Sequence, residues 1–290
     1  MEGLLRHRIL SPVLRNVRVL LAYDGAQFYG WQRQEGFESV QQAMEEALEP
    51  LVRQRTVVHG AGRTDTGVHA LGQVASFHAD TRLDDGKLLF ALNAHLPAGI
   101  AVQDLETCPD DFHAQRSARG KRYGYLVRLG PVRPPFGRAH SHWVPHALDL
   151  GAMRQAARAF LGERDFSAVA NAGSPRRSNV RRIGALHLFA RRRALGVLIQ
   201  GDGFLYNMVR TIVGTLLDVG RGKLAAGAVP AILSAGDRRE AGPTAPAEGL
   251  YLLSVLYPEP CFLRRRRRSW REGGPPGAGA GGGFFGTRLV

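Results

Sequence analysis

Apolar and polar residues alternate from position 17 to position 23, as they do in a half-buried β-strand; Val17, Val19 and Leu21 form the apolar side. Further along, Ser39 and Gln42 have the spacing of a capping box at a helix N-terminus. The apolar residues around this box share one helical face: Val40, Ala43, Met44, Ala47, Leu48 and Leu51. Strand-like segments at 56–60, 73–78 and 100–107 and a helical segment at 87–95 follow. The order β-α-β-β-α-β is that of a ferredoxin-like unit.

A similar order returns in the second half of the chain. Its predicted strands are 122–128, 183–189, 195–200 and 251–257, and its predicted helices run from Asp149 through Phe160 and over 204–219. A strand at 142–145 and a short helix at 229–233 are insertions in this scheme. We therefore predict an α+β fold of two ferredoxin-like (βαββαβ) halves, 17–109 and 110–258. Their mainly antiparallel sheets are expected to join and to leave a central cleft for a large ligand.

The two ends of the chain differ in composition from the rest. Residues 259–290 contain five consecutive arginines followed by a run rich in glycine and proline, and such a segment cannot bury enough apolar surface to order itself. We predict that 1–16 and 259–290 are disordered. No apolar run approaches the ~20 residues that span a bilayer, and 1–16 lacks the apolar region of a secretory signal. The expected location is therefore cytoplasmic, with no membrane partner.

Charge and cysteine content narrow the function classes further. The chain has a formal net charge of +14, of which +9 remains on residues 1–258. Such an excess favours a polyanionic partner, either nucleic acid or a membrane surface. Cys108 and Cys261 form no C-x-x-C pair, so neither a disulfide framework nor a cysteine-based zinc site is indicated.

The stretch HGAGRTDTGVHALGQV places one carboxylate, Asp65, in a glycine-rich loop between two predicted strands. A dinucleotide fingerprint would need glycine at position 65 and a helix after it, so that motif is excluded. No phosphate-binding P-loop is present either. His59, His69 and His78 have no acidic or cysteine companion at metal-ligand spacing, which favours structural roles over a zinc site. By itself, an aspartate in such a loop is most often a turn or cap residue.

Five blocks of the sequence resemble tRNA pseudouridine synthases of the TruA type. They are YDGAQFYGWQRQ, GAGRTDTGVHALGQV, KRYGYLV, GDGFLYNMVRTIVGTLLDVGRGK and GPTAPAEGLYLLSVLYP, in that order between residues 17 and 258. GRTDTGVHA is a long and unusual string, so chance agreement is remote. One block is less faithful, SPRRSNVRRI, where Arg182 stands in place of a small polar residue.

The resemblance implies a reaction, a partner and a set of site residues. The reaction is the isomerisation of uridine to pseudouridine at positions 38, 39 and 40 of the tRNA anticodon arm, with no metal or organic cofactor. Asp65 would be the nucleophile, Arg63 would help to hold the base out of its stack, and Tyr123 would stack on the target base. Arg210 would be the ion-pair partner of Asp65. The resemblance also implies a homodimer that holds tRNA across both subunits.

The residue types suit these roles, although each has a simpler alternative. A carboxylate can add to C1′, add to C6 or assist a glycal route, and the sequence does not choose among them. An aromatic face and a cation can offset the cost of unstacking a base. Tyr123 could instead be an ordinary half-buried strand residue. Arg210 lies in a mostly apolar helical segment, where an arginine needs an acidic partner, and Asp65 is the candidate.

Two other classes of protein compete with this interpretation. One ferredoxin-like half resembles a noncatalytic RNA recognition module, but the aromatic string of that module does not occur in the chain. A membrane-surface protein would need a basic amphipathic helix, and no such pattern is visible.

Overall fold

The computed structural model describes residues 13–171 and 178–262. The chain divides into two units, Met1–Pro258 and Glu259–Val290. The described helices and strands lie in the first unit. In chain order they are β1 (Val13–Tyr23), α1 (Val40–Leu48), β2 (His59–Gly60), β3 (His69–Thr81), α2 (Asp85–His95), β4 (Ile100–Thr107), β5 (Gly120–Leu129), β6 (His142–Val144), α3 (Leu150–Ala157), β7 (Gly162–Asp165), β8 (Val180–Arg191), β9 (Ala194–Gly201), α4 (Met208–Gly220), α5 (Val229–Ala235) and β10 (Leu250–Leu256).

All ten described strands belong to one mixed sheet, so the fold is α+β, as predicted. The strand order is β4-β1-β3-β10-β5-β9-β8-β7, with β2 beside β3 and β6 beside β5. β10 runs parallel to β3 and antiparallel to β5, and β6 runs parallel to β5. The remaining pairs are antiparallel. The last strand of the sheet in sequence is therefore the neighbour of both β3 and β5.

Helices α1, α2 and α3 begin at residues whose side chains accept hydrogen bonds from backbone N–H groups that have no partner within the helix. The Ser39 hydroxyl accepts the Gln42 N–H at 3.2 Å, Asp84 accepts the Lys87 N–H at 2.8 Å, and Asp149 accepts the Ala152 N–H at 3.0 Å. Gln42 itself bonds to Glu46, so only half of the predicted capping box forms. Among the described residues, no helix is long and apolar enough to span a bilayer.

The apolar alternation predicts the buried face of the sheet correctly. Val17, Val19 and Leu21 are fully buried, and the aromatic residues nearby, Tyr23 and Trp31, belong to the same core. Several element bounds differ from prediction. β2 is shorter than 56–60, β3 starts at His69 and not at 73, and β7 was not predicted. α4 starts at Met208 and not at 204, because Asn207 takes a left-handed backbone conformation with φ of 59°.

The predicted disorder of residues 1–16 is wrong for its last four residues. β1 begins at Val13, and its backbone pairs with β3 from that residue onward. Asn16 is buried, and its side-chain amide donates to the carbonyls of Pro109 at 2.9 Å and Phe112 at 2.8 Å. Arg15, which is in phase with Val17, Val19 and Leu21, interrupts the apolar alternation. The hydrogen bonds of Asn16 tie β1 to the segment between β4 and β5. The predictions for 1–12 and 263–290 lie outside the described residues.

Replacing Asn16 with alanine should destabilise the fold. The change leaves buried carbonyls without a partner, so we expect the free energy of unfolding to fall by about 1–3 kcal/mol in urea denaturation. Leu14→Ala on the same strand is the control, because Leu14 is 56% exposed. It should change the free energy by less than about 0.5 kcal/mol. Equal effects from the two variants would contradict this account of Asn16.

Candidate active site

The glycine-rich segment predicted to carry the chemistry forms the loop 61–68 between β2 and β3. Backbone hydrogen bonds hold both ends of the loop. The Ala61 N–H donates to the Val74 carbonyl at 2.7 Å, and the Val68 N–H donates to the Asp65 carbonyl at 3.1 Å. The Gln73 side-chain amide donates to the Gly62 carbonyl at 2.7 Å. Asp65 stands at the middle of this loop, with 30% of its side chain exposed.

A buried tyrosine supports the loop from below. The hydroxyls of Tyr23 and Thr64 are 2.8 Å apart, and the Trp31 N–H donates to the Thr64 carbonyl at 3.0 Å. Burial raises the pKa of Tyr23 to about 12, although hydrogen bonds with Thr64 and Gln73 work against that rise. The phenol is therefore neutral at physiological pH and acts as a fixed hydrogen-bonding support.

Gly30 lies against the other side of the loop. Its φ is +82°, and a Cβ at this position would be 2.6 Å from the Thr64 carbonyl oxygen and 3.1 Å from the carbonyl carbon of Asp65. Only glycine satisfies both the left-handed backbone and the close approach. The YDGAQFYGW segment thus forms a wall behind Asp65.

Arg210 meets Asp65 from helix α4, at the position predicted from its apolar surroundings. The Nη1 atom of Arg210 is 3.1 Å from the Oδ2 atom of Asp65. Two further bonds fix the guanidinium, from Nε to the Ala245 carbonyl at 2.7 Å and from Nη1 to the Asn207 side chain at 3.0 Å. The arginine side chain is only 17% exposed, so its charge acts on the carboxylate with little screening by water.

Tyr123 lies on β5 beside this pair. It is buried and its ring meets Phe204 edge to face, with the ring centroids 5.1 Å apart. Burial raises the pKa of Tyr123, and the negative charge of Asp65 raises it further. The hydroxyl is therefore neutral and lies within electrostatic range of Asp65.

Arg63 differs from the other three predicted site residues. It is on the same loop as Asp65, two positions earlier, and its side chain is exposed. The structure therefore brings Asp65, Arg210 and Tyr123 together and leaves Arg63 at the open side of the loop.

Sequence reasoning missed the residues that orient Arg210 and Tyr123. Asn207 and Phe204 lie in the GDGFLYN block, and Ala245 lies in the GPTAPAEG block. Both blocks were recognised by resemblance, but only Arg210 was given a role. The left-handed backbone of Asn207 and the use of a main-chain carbonyl at Ala245 have no periodic signal in the sequence.

One cluster of possible metal ligands occurs among the described residues: Asp24, His69 and His140. The Nδ1 atom of His69 accepts the Gly25 N–H at 3.1 Å, and its Nε2 atom lies 2.8 Å from the Ala139 carbonyl. Both ring nitrogens of His69 thus already have partners, and a metal ion would have to displace the Gly25 N–H. Burial also lowers the pKa of His69, which keeps the ring neutral. We interpret this cluster as a structural hydrogen-bond network.

Comparison with known proteins establishes the family. The sequence profile described as tRNA pseudouridine synthase matches residues 20–115 and 156–258. A relative from Acetivibrio thermocellus, named tRNA pseudouridine synthase A, is 43% identical over 244 residues, which are 84% of this chain and 100% of the relative. One of the same name from Syntrophotalea carbinolica is 44% identical over 246 residues, 84% of this chain and 98% of the relative. The chain belongs to the tRNA pseudouridine synthase family, and it is an isomerase that acts on tRNA.

Likeness to solved structures is much weaker. A Cbf5-Nop10-Gar1 complex matches with a TM-score of 0.34 and 12% identity, over 70% of this chain and 45% of that chain. This likeness is too low to carry an argument about the site.

Alanine at Gly30 should disturb the loop and therefore the reaction. The added Cβ must push the Thr64 carbonyl away, and a displacement of about 1 Å at a reacting group costs about 100-fold in rate. We expect a loss of that order in pseudouridine formation on tRNA, measured under single-turnover conditions.

Gly36→Ala is a matched control for this change. Gly36 has a φ of +79°, close to that of Gly30, but nothing lies within 4 Å of a Cβ there. Both variants carry the left-handed strain of about 1–2 kcal/mol, and only Gly30→Ala should lose activity. If the two lose activity equally, the loop does not depend on Gly30.

Proposed function

We propose that this isomerase converts uridine to pseudouridine at positions 38, 39 and 40 of the tRNA anticodon stem and loop, with Asp65 as the nucleophile on a flipped-out nucleotide. The observation that carries the proposal is the ion pair of Asp65 with Arg210, on a loop that is fixed from three sides and lies beside Tyr123. A carboxylate that is partly exposed and held in one orientation can reach a substrate.

The chemistry requires a group that acts while the base is detached. The N1–C1′ bond breaks, the uracil turns, C5 joins C1′, the C5 proton leaves and N1 takes up a proton. A carboxylate can serve by adding to C1′, adding to C6 or assisting a glycal route. Arg210 holds the Asp65 carboxylate in one orientation, because its other two bonds prevent the guanidinium from turning away.

Tyr123 and Arg63 would hold the extruded base. Tyr123 lies beside Asp65 and is held in place by Phe204, so its ring can form one wall of the uracil site. Arg63 is exposed at the open side of the same loop, where a guanidinium can occupy the space that the base leaves in the RNA. Both roles follow the family resemblance and the positions of these side chains.

The sheet order supports the further proposal of two ferredoxin-like halves with a cleft between them. Strands β4-β1-β3, with β2 beside β3, come from residues 17–109, and strands β10-β5-β9-β8 come from 110–258. Each set has the order expected of a βαββαβ unit. Asp65 belongs to the first set, whereas Tyr123 and Arg210 belong to the second, so the site would lie where the halves meet.

Two other parts of the proposal rest on the family resemblance. We propose that the protein acts as a homodimer and that it works in the cytoplasm. The net charge of +9 on residues 1–258 suits a partner as large and as negative as tRNA.

The proposed target positions can be mapped directly. Unmodified tRNA transcripts that carry uridine at 38, 39 or 40 should gain pseudouridine at those positions when incubated with the purified protein. The readout is carbodiimide labelling followed by primer extension. Modification confined to the D arm or the T arm would overturn the assignment of the anticodon arm while leaving the family unchanged.

Replacing Asp65 with asparagine should abolish the reaction but not binding. The change keeps the shape of the side chain and removes its charge and nucleophilicity, so no tritium should be released from C5-labelled uridine in tRNA. Affinity for tRNA should be unchanged or higher, since a negative charge is removed from the path of a polyanion. Asp237→Asn is the control, because Asp237 also pairs with an arginine, Arg239, but in an exposed loop. An Asp65→Asn variant with a normal rate would make Asp65 structural.

A further inference from the structure

Lys121 lies on β5 next to the candidate active site. Lys121 and Tyr123 are alternate residues of β5, so they project from the same face of the sheet. Lys121 lies directly against the loop of Asp65, since a Cβ at Gly62 would be 2.9 Å from its Cε and 3.7 Å from its Nζ. The lysine is half-buried.

A second cation, Arg181, lies beside Lys121. Arg181 and Ile183 are alternate residues of β8, and Ile183 pairs with Gly201, which in turn pairs with Lys121. All these positions therefore share one face of the sheet. The guanidinium passes close to Gly203, where a Cβ would be 3.3 Å from its Nε. Burial lowers the pKa of Lys121, and the positive charge of Arg181 lowers it further, so the two charges repel each other.

No acidic partner balances this pair. Among the described residues, neither Lys121 nor Arg181 forms an ion pair with a carboxylate. The sequence from 166 to 201, which includes Arg181, contains seven arginines and no aspartate or glutamate. Arg181 donates to the main-chain carbonyls of Ser178 at 3.0 Å and Val180 at 2.6 Å, which supply hydrogen bonds but no negative charge. Two adjacent, partly desolvated cations without a counter-charge are stabilised when an anion binds between them.

We propose that Lys121 and Arg181 bind one backbone phosphate of the RNA next to the target nucleotide. The proposal rests on the proposed role of Asp65, because it places the phosphate relative to that residue. Alternate residues of a strand are about 6.8 Å apart, so Lys121 stands roughly one nucleotide length from Tyr123 and the proposed uracil site. A point charge and a planar guanidinium together suit a phosphodiester group. The site therefore fixes the register of the flipped nucleotide.

Substitutions at the two cations test the proposal, with neighbouring arginines as matched controls. Lys121→Met keeps the apolar stem of the side chain, and Arg181→Gln keeps hydrogen-bonding capacity. Each should weaken tRNA binding about tenfold and reduce the slope of log affinity against log salt by about 0.7 to 1. Arg122→Gln and Arg182→Gln remove exposed charges at the adjacent positions and should have smaller effects. Equal losses at all four positions would indicate a diffuse positive surface and overturn the proposal.

Chemically modified RNA identifies the phosphate. A neutral methylphosphonate is placed, one linkage at a time, at the phosphates that flank the target uridine. One linkage should weaken binding to the unmodified protein about tenfold and have no further effect on Lys121→Met, because both changes remove the same contact. If, at every linkage, the loss of binding from the methylphosphonate simply adds to the loss from Lys121→Met, the proposal is overturned. When the same binding measurements are made in the Asp65→Asn variant, the methylphosphonate and Lys121→Met should again have effects that do not add. Failure of the proposed nucleophile and failure of this phosphate site are therefore separate results.

Thermal stability separates a binding role from a structural one. If Lys121 serves the RNA, Lys121→Met should melt at the same temperature as the unmodified protein or higher, because a desolvated charge is removed. A lysine needed for the fold would lower the melting temperature instead. Lys121→Arg provides a second variant that keeps the charge and should recover most of the lost affinity. A less stable Lys121→Met together with no recovery in Lys121→Arg would contradict the phosphate site.

Discussion

The ion pair between Asp65 and Arg210 joins residues that are 145 positions apart in the chain. Arg210 is not free to follow the aspartate, because a main-chain carbonyl and the Asn207 side chain hold its guanidinium. The carboxylate must therefore come to the arginine. Helix α4 and the segment around Ala245 thus determine where Asp65 lies, even though Asp65 is carried by a loop from a distant part of the sheet.

The loop brings Asp65 to Arg210 because its glycines and the residues packed against it restrict the loop to few conformations. Thr64 is held by the hydroxyl of Tyr23 and by the backbone N–H of Trp31, and the backbone of Gly30 packs closely against Thr64 and Asp65. These contacts hold the loop backbone rigidly, and none of them is a hydrogen bond to the Asp65 carboxylate itself. Asp65 keeps part of its surface open, so its carboxylate remains accessible from outside the protein.

Much of the fold could be predicted because its elements have a simple period. The alternation at Val17 to Tyr23 corresponds to β1, and the apolar run around Arg210 correctly indicated a partly buried arginine with an acidic partner. The start of β1 was missed because Arg15, which is in phase with Val17, Val19 and Leu21, interrupts the apolar pattern that reveals a strand. The start of α4 was missed because the left-handed backbone of Asn207 cannot be read from the hydrophobic pattern of the sequence.

The surroundings of the site were harder to predict than its central residues. Asp65, Arg210 and Tyr123 lie in distinctive strings, so a resemblance was enough to find them. The approach of Lys121 to Gly62 and of Gly30 to Thr64 joins segments that are distant in sequence, and neither contact produces a pattern within one segment. Only the packed structure reveals contacts of this kind.

The position of β10 has a consequence for how the enzyme is made. This strand lies between β3 and β5, yet it comes last in the chain among the described strands. Before Leu250–Leu256 leaves the ribosome, the strand after the Asp65 loop and the strand of Tyr123 have no shared neighbour, and Ala245 has only just become available to Arg210. The site therefore cannot assemble until Leu250–Leu256 is available to pair with both strands.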